Sequence, residues 1–381
     1  MASVQQLMPQ RVAIVQRVIT NYRVGFLNRL SAQLAGKGIK LTVFAGKVPR
    51  RKGFVDALDE LPCGVRVQNI DLGGKAYWQS LFWKLQQYDL VIVEQANAAL
   101  LNYALLLSRW VIQRPRLAYW GHGTTMQSEH SGLWRRWLKR TLTGAVDHWF
   151  AYTQISAEIV AKTGYSRNRI TVVNNSVDTN EILAAVENVR RKGRDAVRQT
   201  LGLDSGFTAV FCSRLYEGKK LDFLLEVTAI VRRHAPDFQC VIIGDGPERS
   251  RIEAAARDMP WIRFAGALYD RQKANYLAAS DVMVLPAWVG LSILDGFAAG
   301  LPVVAADFRN HSPEIAYLEP GLNGLMTVAD PETYATALLG LRNDPDRRAA
   351  MSLVAAESGR RYSLDQMVKR FAQGIGTALT R

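Results

Sequence analysis

The run Asp89-Leu90-Val91-Ile92-Val93-Glu94 holds four consecutive apolar residues between two carboxylates, with no polar face to offer water. A half-exposed strand would alternate. A continuous β-branched run of this length fits a parallel strand covered by helices on both faces. Comparable runs recur at Val12-Ala13-Ile14-Val15, Leu41-Thr42-Val43-Phe44, Phe238 to Ile243, Val282-Met283-Val284-Leu285 and Val303-Val304-Ala305-Ala306. Between them lie stretches of helical period, such as Leu27, Leu30 and Leu34, or Leu221 to Arg233. This alternation predicts an α/β chain with parallel sheets, the βα unit itself being the repeat.

A chain of 381 residues exceeds what one core usually supports, so two domains are expected. Their junction falls near 180–205: an N-terminal domain over 1–190, a second over 191–364, and a helix at 365–381 packing back on the first. A hydrophobic fraction of 48% with 22% charged residues is that of a globular protein. The N-terminus lacks an apolar core of signal-peptide length, and the run Ala98 to Ile112 is too short to span a bilayer. Cys63, Cys212 and Cys240 are far apart and outside metal-ligand spacing, and Cys212 and Cys240 lie inside strand-like runs, as buried thiols of a reducing compartment would. Charge is unevenly placed: residues 1–200 carry 28 Lys and Arg against 13 Asp and Glu, the remainder 20 against 21. That asymmetry points to an anionic partner for the first half.

The stretch Leu285 to Asp307 reads as a strand end, a Gly-bearing loop, a short helix from Ser292 to Ala299 and a buried strand. The N–H groups of Gly290, Leu291 and Ser292 would face outward at a helix start, where an anion is favoured, and Asp295 lies one turn in. The plain alternative is an ordinary helix of an open sheet with Asp295 a solvated charge. Arg214 and Lys219 follow another strand on the same sheet edge, and two cations converging with a helix N-terminus form a diphosphate clamp. Gly244-Asp245-Gly246-Pro247 lacks the third glycine of a dinucleotide fingerprint; it is a tight turn, or a turn beside a nucleotide. His122, between Gly121 and Gly123 at a strand end, has no partner for a hydrolytic triad, but its glycines allow a ligand to approach closely. Residues 133–142 form a basic amphipathic helix carrying Trp134, suited to a water–lipid interface or to packing on the sheet with its arginines solvated.

Five runs together resemble glycosyltransferase family 4: Ser213 to Lys219, Gly244 to Pro247, Phe264 to Leu268, Val289 to Val304 and Pro313 to Leu325. Weaker likeness lies in Tyr22-Arg23, in the Trp-Gly-His-Gly at Trp120, and in Val172 to Asp178. The resemblance implies a GT-B architecture, two Rossmann-like domains facing each other across a cleft. It further implies retaining, metal-independent transfer from a nucleoside diphosphate sugar, with no cofactor. Under it, Arg214 and Lys219 neutralise the diphosphate and His122 faces the donor sugar, these three forming the catalytic set. Leu268 borders the base, Asp295 takes the ribose hydroxyls, and Gly246, Trp288, Gly290, Leu291 and Ser292 complete the donor site. Tyr22 and Arg23 stand on the acceptor side.

The family's paired glutamates would fall at 287 and 295, where this chain has Ala287 and Asp295. Either Trp288 and Asn310 orient the donor sugar instead, or turnover is weak. The expectation is therefore sugar transfer to a glycan or lipid-linked acceptor, a polysaccharide precursor for instance, at the inner face of the cell membrane. The protein would be cytoplasmic and peripheral, held to an anionic membrane surface. The alternative is a catalytically weak or silent nucleotide-sugar-binding module. No nucleic-acid recognition motif is present.

Overall fold

A computed structural model describes residues 9–47, 55–109, 111–112, 114–123, 144–309 and 311–380. The Trp134 segment, residues 48–52 of a basic loop and Asn310 lie outside the described residues. The chain forms two compact units, Met1–Val177 with Leu364–Arg381, and Asp178–Ser363.

The first unit runs β1 (Gln10–Val18), α1 (Asn21–Ala35), β2 (Ile39–Gly46), β3 (Gly64–Arg66), β4 (Ile70–Leu72), β5 (Ala76–Trp78), α2 (Phe82–Leu85), β6 (Leu90–Glu94), α3 (Leu100–Ser108), β7 (Arg116–Gly121), β8 (His148–Ala151), α4 (Gln154–Lys162) and β9 (Ile170–Val172). Its seven-stranded sheet has the order β3-β2-β1-β6-β7-β8-β9, parallel throughout, while β4 and β5 form a small antiparallel ribbon. The apolar runs are buried on both faces. Val12 and Ile14 enter one core with Leu27 and Leu30, and Ala13 and Val15 enter the other with Leu101 and Leu105. Strand order reverses between β1 and β6, the point where ligands enter doubly wound sheets. Tyr22 and Arg23 lie in the first turn of α1.

The second unit runs α5 (Asn180–Lys192), α6 (Arg194–Leu201), β10 (Thr208–Cys212), α7 (Leu221–His234), β11 (Gln239–Ile243), α8 (Arg249–Asp258), β12 (Ile262–Gly266), α9 (Asp270–Ala279), β13 (Val282–Val284), α10 (Ser292–Ala298), β14 (Val303–Ala306), β15 (Gly324–Thr327), α11 (Pro331–Asn343) and α12 (Pro345–Arg361). Its six-stranded parallel sheet has the order β12-β11-β10-β13-β14-β15, reversing between β10 and β13.

The junction falls at Val177, earlier than the expected 190, because α5 packs against α9 and so belongs to the second unit. The charged stretch 189–199 is shared by two helices, α5 and α6, broken at Gly193, whose φ of 84° suits glycine. After α12 the chain returns as α13 (Leu364–Thr380), part of the first unit. Its buried face, Leu364, Met367, Val368, Phe371, Ile375 and Ala378, follows the helical period. Phe371 stacks on Phe150 with ring centroids 4.3 Å apart. A Cβ on Gly374 would stand 2.6 Å from the Phe150 ring, so only glycine allows that approach.

Candidate functional site

In the second unit, the loop after β10 is set by close backbone packing. Leu215 N–H donates to the Asp245 carbonyl at 2.9 Å. An added Cβ at Gly244 would lie 2.0 Å from the Ser213 carbonyl oxygen, and one at Gly246 2.1 Å from that of Leu215. The Gly-Asp-Gly-Pro turn thus holds the segment that carries Arg214, which is exposed.

A short 3-10 turn, Glu217–Lys219, then sends Lys219 inward, where it is 5% exposed. Its Nζ donates to the Trp288 carbonyl at 2.6 Å. No carboxylate among the described residues pairs with it, and burial lowers its pKa to about 8. Trp288 itself sits at a φ of 48°, a conformation that is costly for a bulky residue and aims its carbonyl at the ammonium.

His311 fixes the same loop. Val289 N–H donates to its Nδ1 at 3.2 Å, and its Nε2 lies 2.8 Å from the Ala306 carbonyl. An imidazole that accepts at Nδ1 and donates at Nε2 is neutral, in keeping with a pKa lowered by burial. Beyond it the N–H groups of Gly290, Leu291 and Ser292 make no hydrogen bond among the described residues. Ser292 Oγ lies 3.4 Å from Ser213 Oγ, which joins the loops that follow β13 and β10.

Asp295 is not a solvated surface charge: it is 7% exposed, and its Oδ2 accepts from Lys273 Nζ at 2.9 Å. Its Oδ1 is buried with no hydrogen-bond partner among the described residues. Burial works against the Lys273 ammonium, but its neighbours, Asp295 foremost, together outweigh it and the lysine pKa is raised. Leu268 lies half-buried in the loop between β12 and α9.

A cavity of about 360 Å³ opens beside these groups, lined by Gly218, Lys220, Ala287, Trp288, Asp307, Phe308 and Arg309. Extending the β13–β14 register sets Ala287 opposite Asp307. The side chains of Lys220, Asp307 and Arg309 form no ion pair among the described residues.

In the first unit, Tyr22, Arg23 and His122 come together around Trp120 and Tyr152. The His122 ring meets Tyr152 edge-on at 4.3 Å. Although His122 has an exposed face, burial and then the Arg23 guanidinium push its pKa down to about 4, so it is uncharged at neutral pH. The expected residues therefore form two groups: Arg214, Lys219, Gly246, Leu268, Trp288, Gly290, Leu291, Ser292 and Asp295 in one unit, and Tyr22, Arg23 and His122 in the other. Sequence reasoning missed Lys273, His311 and Asp307. Lys273 and His311 act through contacts made only on folding; Asp307 carried a signal, as the charge ending the buried run before it.

Each unit is a doubly wound α/β sheet, and the second carries a cationic, amide-lined edge at its strand-order reversal. Residues 26–181 match the family model described as Glycosyltransferase Family 4, and residues 206–344 that described as Glycosyl transferases group 1. One match falls on each half of the chain and neither spans half of its length; with the fold they support a glycosyltransferase of GT-B type. It is 31% identical over 170 residues, 42% of this chain and 44% of the relative, to a GDP-mannose-dependent monoacylated alpha-(1-6)-phosphatidylinositol monomannoside mannosyltransferase of Corynebacterium glutamicum. It is 31% identical over 229 residues, 55% of this chain and 48% of the relative, to a D-inositol 3-phosphate glycosyltransferase of Rhodococcus opacus. The chain spans about half the length of these curated relatives. The Anabaena protein Alr3699/HepE, solved with UDP and glucose, shares the fold at a TM-score of 0.69 and 17% identity, over 97% of this chain and 100% of that one. A glycosyltransferase from Rickettsia africae does so at 0.72 and 14%, over 96% and 98%.

Proposed function

We propose that this protein transfers a sugar, with retention and without a metal, from a nucleoside diphosphate sugar bound to the second unit to a hydroxyl of a glycan or lipid-linked acceptor. The observation that carries this reading is Lys219, a buried ammonium that no carboxylate among the described residues neutralises. A diphosphate supplies the missing charge, with Arg214 and the N–H groups of Gly290 to Ser292 beside it. The Asp295 Oδ1 is placed to accept from a ribose hydroxyl, and Lys273 holds the carboxylate through its other oxygen.

The cavity beside Ala287 takes the donor sugar in this reading. Asp307, opposite Ala287, provides the carboxylate that position 287 lacks. In the transfer, the bond from the anomeric carbon to the diphosphate oxygen breaks as the acceptor oxygen bonds to the same face of that carbon. The acceptor's proton passes to the departing phosphate oxygen. Lys219 and Arg214 stabilise the charge that develops there.

Membrane attachment is part of the proposal and rests on the basic first 200 residues. No helix among the described residues is long and apolar enough to cross a membrane, so a peripheral mode at the cytoplasmic face is the one proposed. Sedimentation with anionic vesicles at low salt is the expected result, and indifference to them removes this part.

Thermal-shift screening against nucleotide sugars, followed by product detection with the donor that stabilises most, tests the main reading. Loss of turnover in Arg214→Ala and Lys219→Ala is expected. The buried Ala287 favours a second reading, a binding module with little turnover. Donor binding with neither hydrolysis nor transfer selects it.

A further inference from the structure

Arg23 is 6% exposed, yet no carboxylate among the described residues pairs with it. Its Nη1 donates to Asn175 Oδ1 at 2.9 Å, a neutral partner. The rings of Trp120, Tyr22 and Tyr152 lie 4.7, 5.1 and 5.7 Å from the guanidinium carbon. Aromatic faces attract a guanidinium but accept none of its in-plane hydrogen bonds, and this one has five N–H donors with a single side-chain acceptor found for them.

The deficit extends to the ring packed against it. Trp120 is 1% exposed, and its Nε1–H has no acceptor among the described residues. Donors thus outnumber acceptors in a buried pocket that also holds an uncompensated positive charge. Leaving such a charge unpaired is costly, and an oxyanion with several lone pairs removes both deficits at once. Tyr22, 42% exposed, and the exposed face of His122 leave the pocket an entrance.

We propose that Arg23, Trp120, Asn175 and His122 form an oxyanion subsite that holds a phosphate group carried by the acceptor. The word acceptor rests on the transfer reading above; the oxyanion site does not. It lies wholly within the first unit, separate from the cations that face the donor diphosphate in the second. The field of Arg23 already acts at His122, so an anion seated on Arg23 reverses the sign of that influence and makes the imidazole easier to protonate.

The test uses the full chain with saturating nucleoside diphosphate, which occupies the cations of the second unit. Inorganic phosphate is titrated by calorimetry while the His122 ring resonances are followed by NMR. One phosphate is expected to bind, shifting the His122 signals. Arg23→Gln weakens that binding at least tenfold and abolishes the shift, Arg23→Lys weakens it less, and Lys219→Ala leaves it intact. Should Arg23→Gln fail to fold, Arg23→Lys and Asn175→Ala carry the comparison.

No binding to the native chain, or binding indifferent to Arg23, overturns the proposal. Phosphatidylcholine vesicles with and without phosphatidylglycerol separate a lipid phosphate from a soluble one, since only the former gives Arg23-dependent binding that inorganic phosphate displaces. Phosphate binding without any sugar transfer refutes the functional reading and leaves this one standing. Transfer undiminished by Arg23→Gln does the reverse.

Discussion

Lys219 places its ammonium 2.6 Å from the Trp288 carbonyl, with no carboxylate among the described residues to share the charge. A single neutral acceptor compensates part of the desolvation, and the lysine pKa drops to about 8. A cation in this state gains more from an arriving anion than one already paired.

The first prediction is a pH dependence. The Lys219 pKa is lowered, so the charged form is full below about 8 and is lost as pH rises through that value. A diphosphate binds the charged form and raises the pKa. Nucleoside diphosphate affinity is therefore expected to fall above pH 8, with proton uptake on binding there. Calorimetry in buffers of different ionisation enthalpy measures that uptake. Lys219→Ala removes the pH limb and weakens binding about tenfold or more; a limb that persists in the variant assigns the titration elsewhere.

Removing one member of the buried Lys273–Asp295 pair strands the other. Lys273→Met is expected to cost about 3 kcal/mol in chemical denaturation, and the double variant Lys273→Met/Asp295→Asn to recover much of that loss. A near-neutral Lys273→Met would mean the pair is solvent-compensated.

Asp307 has no ion pair among the described residues and lines the cavity beside Ala287. Asp307→Asn is expected to lower turnover about 10- to 100-fold, the range for losing a hydrogen bond to a charged group, with nucleoside diphosphate binding unchanged. Adding Ala287→Glu restores part of the lost rate. Equal loss of nucleotide binding and turnover would place Asp307 outside the sugar pocket.

How much of this was legible in the sequence depends on the range of the interaction. Buried parallel strands showed themselves locally, because a strand covered on both faces must be apolar throughout, as Leu90 to Val93 is. Positions after strands, such as Arg214 and His122, followed from that. What escaped depends on partners distant in the chain. Asp295 could be read as a surface charge because Lys273 lies 22 residues before it on another helix. The His311 bridge from Val289 to Ala306 leaves no periodic trace. The unit boundary was missed because α5 resembles a linker in its charge and is fixed only by packing on α9.

Phe371 supplies a ring to both Phe150 and Trp120, with centroids 4.3 and 5.0 Å away. Phe371→Ala is expected to destabilise the first unit by about 3–5 kcal/mol, lowering its denaturation midpoint while nucleoside diphosphate binding to the second unit persists below that midpoint. Equal loss of both would show the two units to unfold as one.

The return of the chain through α13 sets an order of events during synthesis. The sheet of the first unit leaves the ribosome before any of the second, but the helix that covers Phe150 and Trp120 emerges after all of it. The second unit is one uninterrupted segment and can close its core while the first still exposes an unfinished apolar face. A nascent chain of this topology carries its aggregation hazard in the half made earliest, for as long as translation of the other half lasts.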